Sequence, residues 1–170
     1  MTKVNFFIPS LSYLQAVAGL FEQHRQNILD SLPTARVEHI GATSVPGLLT
    51  KGDLDLQVAV SPPEFDRAVV LLQTKYSTHQ LENWTNSFAS FKVEKASDIP
   101  IGVQLVIQDS KGDIFIKSRD LLLARPEKVQ ELNRLKQLHE DRDMDTYIED
   151  KGKFFELLLA NAPETHHDNK

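Results

Sequence analysis

One stretch constrains the fold more than any other: DLDLQVAV, residues 53–60, alternates strictly, with Leu54, Leu56, Val58 and Val60 sharing one side. Successive strand side chains point to opposite faces, so this period of two marks a strand with one face in a core. Side chains at i and i+2 project together, with Cα atoms roughly 6.5–7 Å apart. Asp53 and Asp55 therefore point the same way, and their mutual repulsion requires solvent or a cation to relieve it.

The elements around this strand alternate between helix and strand. Ser10 is placed to cap a helix whose apolar residues Leu14, Val17, Ala18, Phe21, Ile28, Leu29 and Leu32 recur at helical spacing, and Pro33 closes it. ARVEHI, residues 35–40, reads as a short strand. Ser61, Pro62 and Glu64 form a capping-box pattern ahead of a helix bearing Phe65, Ala68, Val69, Leu71 and Leu72. Residues 87–95 and 101–109 read as two further strands. From 118 to 162 the chain turns helical: SRDLLLA, then a helix opened by Pro126, then one capped by Asp145 with a Tyr147, Phe154 and Phe155 stripe that belongs to core packing. The expectation is an α+β fold, a small mixed β-sheet with packed helices and a C-terminal helical segment. It forms one domain over 1–162, followed by a polar tail, 163–170, expected to be disordered.

With 170 residues and 41% hydrophobic content, the chain is long enough for one packed domain. Its net charge of -5 gives no strong nucleic-acid signal, and it has no cysteine, which excludes disulfides and thiolate metal sites. MTKVNFFIPS has too short an apolar run for a signal peptide, and no run approaches the ~20 apolar residues of a membrane span. A cytoplasmic protein with no membrane partner is expected.

The loop before the strand shares its chemistry. Gly41 permits close backbone approach, Thr43 and Ser44 offer hydroxyls, and Lys51 can contact a phosphate. Two carboxylates suit Mg²⁺, which takes oxygen ligands and keeps positions for water and substrate phosphates. Phosphoryl or nucleotidyl transfer needs such an ion to neutralise charge and activate a hydroxyl. Taken alone, an Asp-x-Asp reads more readily as a solvated strand face. The combination of strand, glycine-hydroxyl turn and Asp-x-Asp favours the metal.

GATS followed by DLD resembles the nucleotidyltransferase superfamily signature, a glycine turn ahead of Asp-hydrophobic-Asp/Glu. More narrowly, VEHIGATSVPGLLTKGDLDLQV is similar to the hallmark of the GrpB family, close to His-Ile-Gly-Ser-Thr-Ser-Val-Pro-Gly-Leu. SRDLLLARPEKVQELNRLKQL, with Lys136, and YIEDKGKFF are similar to later family segments, so the likeness runs from about 36 to 162. The resemblance implies a mixed sheet with packed helices. It also implies that Gly41, Thr43 and Ser44 contact nucleotide phosphates and that Asp53 and Asp55 are catalytic Mg²⁺ ligands joined by a third acid from a neighbouring strand. Two departures stand out. Ala42 replaces a serine, and the candidate third strand, GVQLVIQ, carries Gln104 where an acid is expected, with Asp109 only at its end. Both aspartates are present, although many family members keep an apolar residue at the first.

Two functions follow. One is Mg²⁺-dependent transfer of a nucleotidyl group from a nucleoside triphosphate to an unknown hydroxyl acceptor, with Gln104 binding substrate and orienting the acceptor. The other is a catalytically weak or inactive nucleotide-binding module. His39 reads as a structural histidine more readily than as a base. Lys92, Lys117 and Arg119 are candidates for an anion site, and Trp84 is either a substrate-side aromatic or simply half-buried.

Overall fold

The computed structural model describes residues 3–93 and 98–162. Its strands are β1 (Arg36–Ile40), β2 (Leu54–Val60), β3 (Ser77–His79), β4 (Phe88–Val93) and β5 (Ile101–Ile107), in one sheet of order β1-β2-β5-β4-β3. β2 and β5 run parallel, while the other neighbours are antiparallel. The helices are α1 (Leu11–Leu29), α2 (Phe65–Gln73), α3 (Phe115–Ala124), α4 (Pro126–Leu138) and α5 (Met144–Ala160). Among the described residues no helix is long and apolar enough to cross a membrane.

α1 and α2 cover the sheet face that carries Leu54, Leu56, Val58 and Val60, together with Val103, Leu105 and Phe91. A second apolar cluster joins α3, α4 and α5 through Leu122, Leu132, Phe154 and Leu158, and Val45 and Leu48 of the loop before β2 are buried in it. The loop is thus held between the sheet and the helical layer. β2 is buried on both faces over most of its length, since Gln57 and Ala59 are buried as well. That follows from its central place beside a parallel neighbour, where helices and turns cover both sides.

Several local expectations need adjusting. β2 starts at Leu54, so Asp53 sits on the loop just before it. Ser10 caps α1 by accepting from the Tyr13 amide at 3.2 Å. Ser61 instead donates to the Glu64 carboxylate at 2.6 Å, so α2 is entered through a 3₁₀ turn, Pro62–Glu64, without a capping box. Asp143, not Asp145, stands at the cap position of α5, with Asp145 in its first turn. β3 has only three residues, too few for periodicity to show it. Residues 94–95 of the expected strand and the 163–170 tail lie outside the described residues.

Leu56 is fully buried in the main cluster, whereas Leu157 is 65% exposed. Leu56→Ala is expected to cost about 2–5 kcal/mol in urea unfolding, through lost transfer energy and a residual cavity. Leu157→Ala is expected to stay within about 0.5 kcal/mol of the parent protein.

Candidate functional site

The register of β2 on β5 places Asp55 opposite Gly102. A Cβ on Gly102 would lie 2.7 Å from Asp55 Oδ1, and one on Gly41 would lie 2.5 Å from Oδ2. Neither contact is one that a real side chain tolerates, so the two glycines form the seat of this carboxylate. Gly41 also has φ 76°, a backbone conformation that L side chains adopt at a cost. Gly102, the second wall of the seat, escaped the sequence reading because only the long-range register reveals it.

Asp53 is partly exposed, and the Lys51 ammonium stands 3.6 Å from its Oδ2. The loop carrying both is fixed from several sides. Phe7 and Thr50 exchange backbone hydrogen bonds at 2.9 Å. On α4, Asn133 accepts from the Leu49 amide at 2.8 Å and donates to the Gly47 carbonyl at 2.9 Å. Lys136, only 4% exposed, donates to the Leu49 carbonyl and lies 5.5 Å above the Phe6 ring. The Tyr13 hydroxyl donates to the carbonyl of Gly52.

The electrostatics of this corner are strongly coupled. Burial, and then the Asp53 charge beside it, push Asp55 up to about 7. Burial and the neighbouring Lys151 bring Lys136 down to about 7. Lys151, on α5, is exposed at its surface, and desolvation lowers its pKa while the aspartates oppose the shift. Burial, reinforced by Asp53, raises the Tyr147 phenol. Two acids and three lysines, Lys51, Lys136 and Lys151, thus sense one another across the loop, α4 and α5. Lys136 and Lys151 both fall in the recognisable helical segments, yet nothing local in the sequence points them at β2.

The turn after β1 divides its duties. Ala42–Ser44 form a 3₁₀ turn with Gly41 at its start. Thr43 is buried, and its hydroxyl donates to the Asp53 carbonyl at 3.1 Å. That hydroxyl therefore accepts from His39 Nε2, 2.9 Å away, which assigns the imidazole proton to Nε2. Thr43 thus braces Asp53 from behind and is not an open donor. Ser44 Oγ donates to the Gly41 carbonyl at 2.6 Å. Residues 43–47 line a small hollow of about 130 Å³ with Ile8, Pro9 and Leu14, while Gly41 at the start of the turn adjoins Asp55. The Ala42 side chain packs against the helical cluster.

His39 stacks on Phe21, ring centroids 5.4 Å apart, and burial with the nearby Arg119 charge lowers it to about 4. It is a neutral structural histidine. Arg119 is not an exposed anion ligand. Its side chain is 16% exposed, and Nη1 donates to Glu38 and to the His39 carbonyl, each at 2.8 Å, tying α3 to β1. Burial would raise Glu38, but hydrogen bonds from Arg119 and Arg36 outweigh it and hold the carboxyl below its usual range. Trp84 is half-buried against Phe91 at 5.2 Å and donates to the His79 carbonyl. Lys117 is exposed on α3, and Lys92 stands opposite Gly102 on β4.

Gln104 lies two residues beyond Gly102 on the same face of β5, and its Nε2 would be 3.8 Å from a Cβ on Gly102. It therefore adjoins the Asp55 seat. Asp109 does not: it follows the far end of β5, seven residues past Gly102 and roughly 23 Å along the strand direction. Among the described residues no group of three or more His, Cys, Asp or Glu side chains is placed to hold a metal. The candidate donors are the Asp53 and Asp55 pair, whose chemistry suits Mg²⁺, an ion that binds through one or two carboxylates and completes its shell with water and substrate phosphates.

In metal-free buffer, ionising Asp55 is destabilising, because the native state holds its proton to about 7 and the unfolded chain only to 3.8, so the penalty builds between those values and is complete above about 7. Asp55→Asn is expected to exceed the parent protein in stability by ~2–4 kcal/mol near pH 8, the gap narrowing below about 7 and closing towards 3.8. His39 acts oppositely. Its contribution is complete above 6.5 and is lost as pH falls towards about 4, so His39→Gln is expected to flatten that acid slope. Thermal unfolding across pH checks both.

The fold has parallels in known proteins. The crystal structure of GrpB from Enterococcus faecalis superposes with a TM-score of 0.66 at 23% identity, covering 85% of this chain and 93% of that one. The Cid1 poly(U) polymerase bound to MgGTP superposes with a TM-score of 0.59 at 13% identity, over 76% of this chain but 42% of the polymerase. The fold is therefore nucleotidyltransferase-like. In sequence, a UPF0157 protein of Vibrio cholerae serotype O1 is 31% identical over 156 residues, 92% of this chain and 82% of its own length. The family model described as GrpB protein matches residues 11–161, from the first turn of α1 to the end of α5. The chain belongs to the GrpB protein family.

Proposed function

We propose that this chain binds a nucleoside triphosphate together with Mg²⁺ and transfers its nucleotidyl group to a hydroxyl acceptor. The observation that carries the reading is the pair Asp53 and Asp55 at the head of β2, with the Asp55 carboxylate seated between Gly41 and Gly102 and pushed up to about 7. An acid held in that condition gains most from a cation. The likeness of the fold to a polymerase that binds MgGTP supports the substrate class. Nucleoside triphosphates are cytoplasmic metabolites, which agrees with a cytoplasmic protein.

In this reading Asp53 and Asp55 are the catalytic metal ligands. Gly41 and Lys51 meet the phosphates, Ser44 holds the turn through the Gly41 carbonyl, Thr43 supports Asp53 from behind, and Gln104 orients substrate beside the Asp55 seat. Lys151 and the buried Lys136 add positive potential on the α4–α5 side. The acceptor oxygen forms a bond to the α-phosphorus, the bond to the β-phosphate oxygen breaks, pyrophosphate leaves, and the acceptor proton passes to solvent. Bound Mg²⁺ neutralises phosphate charge and lowers the pKa of the attacking hydroxyl. Gln104 favours a second reading as well, a nucleotide-binding module with weak or no turnover, because an amide cannot replace a third carboxylate.

A thermal-shift screen of nucleoside triphosphates with and without Mg²⁺ tests the binding. A ligand at a hundredfold excess over its Kd stabilises by about 2.7 kcal/mol. Asp53→Asn and Asp55→Asn are expected to remove the Mg²⁺-dependent part of the shift. If both variants keep it, the reading fails. Gln104→Glu is expected to strengthen Mg²⁺ binding and raise transfer, measured as pyrophosphate release. Wild-type release that exceeds the Gln104→Glu rate would move the third ligand elsewhere.

A further inference from the structure

The cations around the two aspartates are not equivalent. The Lys136 ammonium is buried and donates to the Leu49 carbonyl, so it holds the loop. Lys151 stands on α5 beside the Tyr147 ring, 5.9 Å from its centroid. Among the described residues, Lys51 alone is seen in an ion pair with one of the two acids: its Nζ stands 3.6 Å from Asp53 Oδ2, and both side chains keep partial solvent access. Asp55 is partly exposed as well, and Gly41 and Gly102 wall its carboxylate. A site for two divalent ions needs carboxylate oxygens for each. Among the described residues the donor set stops at two acids, the neighbouring β5 position being the amide Gln104.

We propose that the pocket holds a single divalent cation shared by Asp53 and Asp55, and that the Lys51 ammonium takes the place a second ion would occupy on Asp53. Lys51 lies two residues before Asp53 on a loop pinned at Leu49 and Thr50 by Asn133, Lys136 and Phe7, so its backbone is held beside the acid. It carries one charge where a second divalent ion would bring two, and it donates hydrogen bonds to oxygen, from either a carboxylate or a phosphate. The inference rests on the Mg²⁺-nucleotide reading of the same pocket and specifies how that pocket is charged.

Mn²⁺ binding to the full chain, followed by the electron paramagnetic resonance signal of the free ion, tests it without any activity measurement. Ions still bound by Asp55→Asn are subtracted as belonging to other sites. Wild type is expected to bind one Asp55-dependent Mn²⁺ per chain. Lys51→Met is expected to bind that ion about three- to tenfold more tightly, because a competing like charge is gone, and to admit a second at higher concentration. Lys51→Arg is expected to stay near wild type. Lys51 is exposed, so these variants fold, and thermal unfolding checks that they do. Two Asp55-dependent ions in wild type, or unchanged or weaker binding in Lys51→Met, overturns the inference and leaves the nucleotide reading standing. No Asp55-dependent Mn²⁺ in wild type overturns both.

Discussion

Everything at the candidate site depends on one close approach, the Asp55 carboxylate lodged between Gly41 and Gly102. Three parts of the chain must agree for that seat to exist: the end of β1 with its left-handed glycine, the start of β2, and a β5 that pairs in parallel with the right register. A slip of one residue between β2 and β5 would bring Ile101 or Val103 against Asp55 and turn the apolar set of β5 to the wrong face. The fully buried Leu54, Leu56, Val103 and Leu105 hold the register by packing on the helices α1 and α2.

The second layer of the molecule positions charge. α3, α4 and α5 have their own apolar cluster, and its contact with Val45 and Leu48 fixes the loop between β1 and β2. Through that contact α4 presents Asn133 and Lys136 to the loop backbone, and α5 brings Lys151 towards the acids. Lowered lysine pKa values and a raised aspartate pKa are two sides of the same desolvated, crowded corner. Perturbed groups gathered in one place, with geometry to match, are a functional-site signal with a physical basis. Elsewhere the buried polar contacts are structural. Arg119 joins α3 to Glu38 and the His39 carbonyl, and Thr43 relays between His39 and Asp53.

The shared frame with the Cid1 polymerase extends to the fold. The chemistry of this chain is set by its own residues: both aspartates are kept, while the position next to the Gly102 gap carries an amide and a lysine accompanies Asp53. In the proposed reading, these residues set how many cations the pocket takes and how much phosphate charge falls to protein side chains.

The amino-acid sequence by itself determined the strand of Leu54 to Val60, the glycine turn and the order of helices, because these are written in local periodicity and turn chemistry. The membership of the GrpB family was legible for the same reason, since its hallmark is contiguous. The sequence did not determine that Gly102 completes the seat, that Lys136 and Lys151 feel the charge of the aspartates, that Thr43 faces inward, or that Asp109 lies at the wrong end of β5. Each of these depends on contacts between residues far apart in the chain, such as Asp55 with Gly102 or Leu49 with Lys136. Local patterns fix which way a side chain points along its own element. Only the packing of sheet against helices fixes what it meets there.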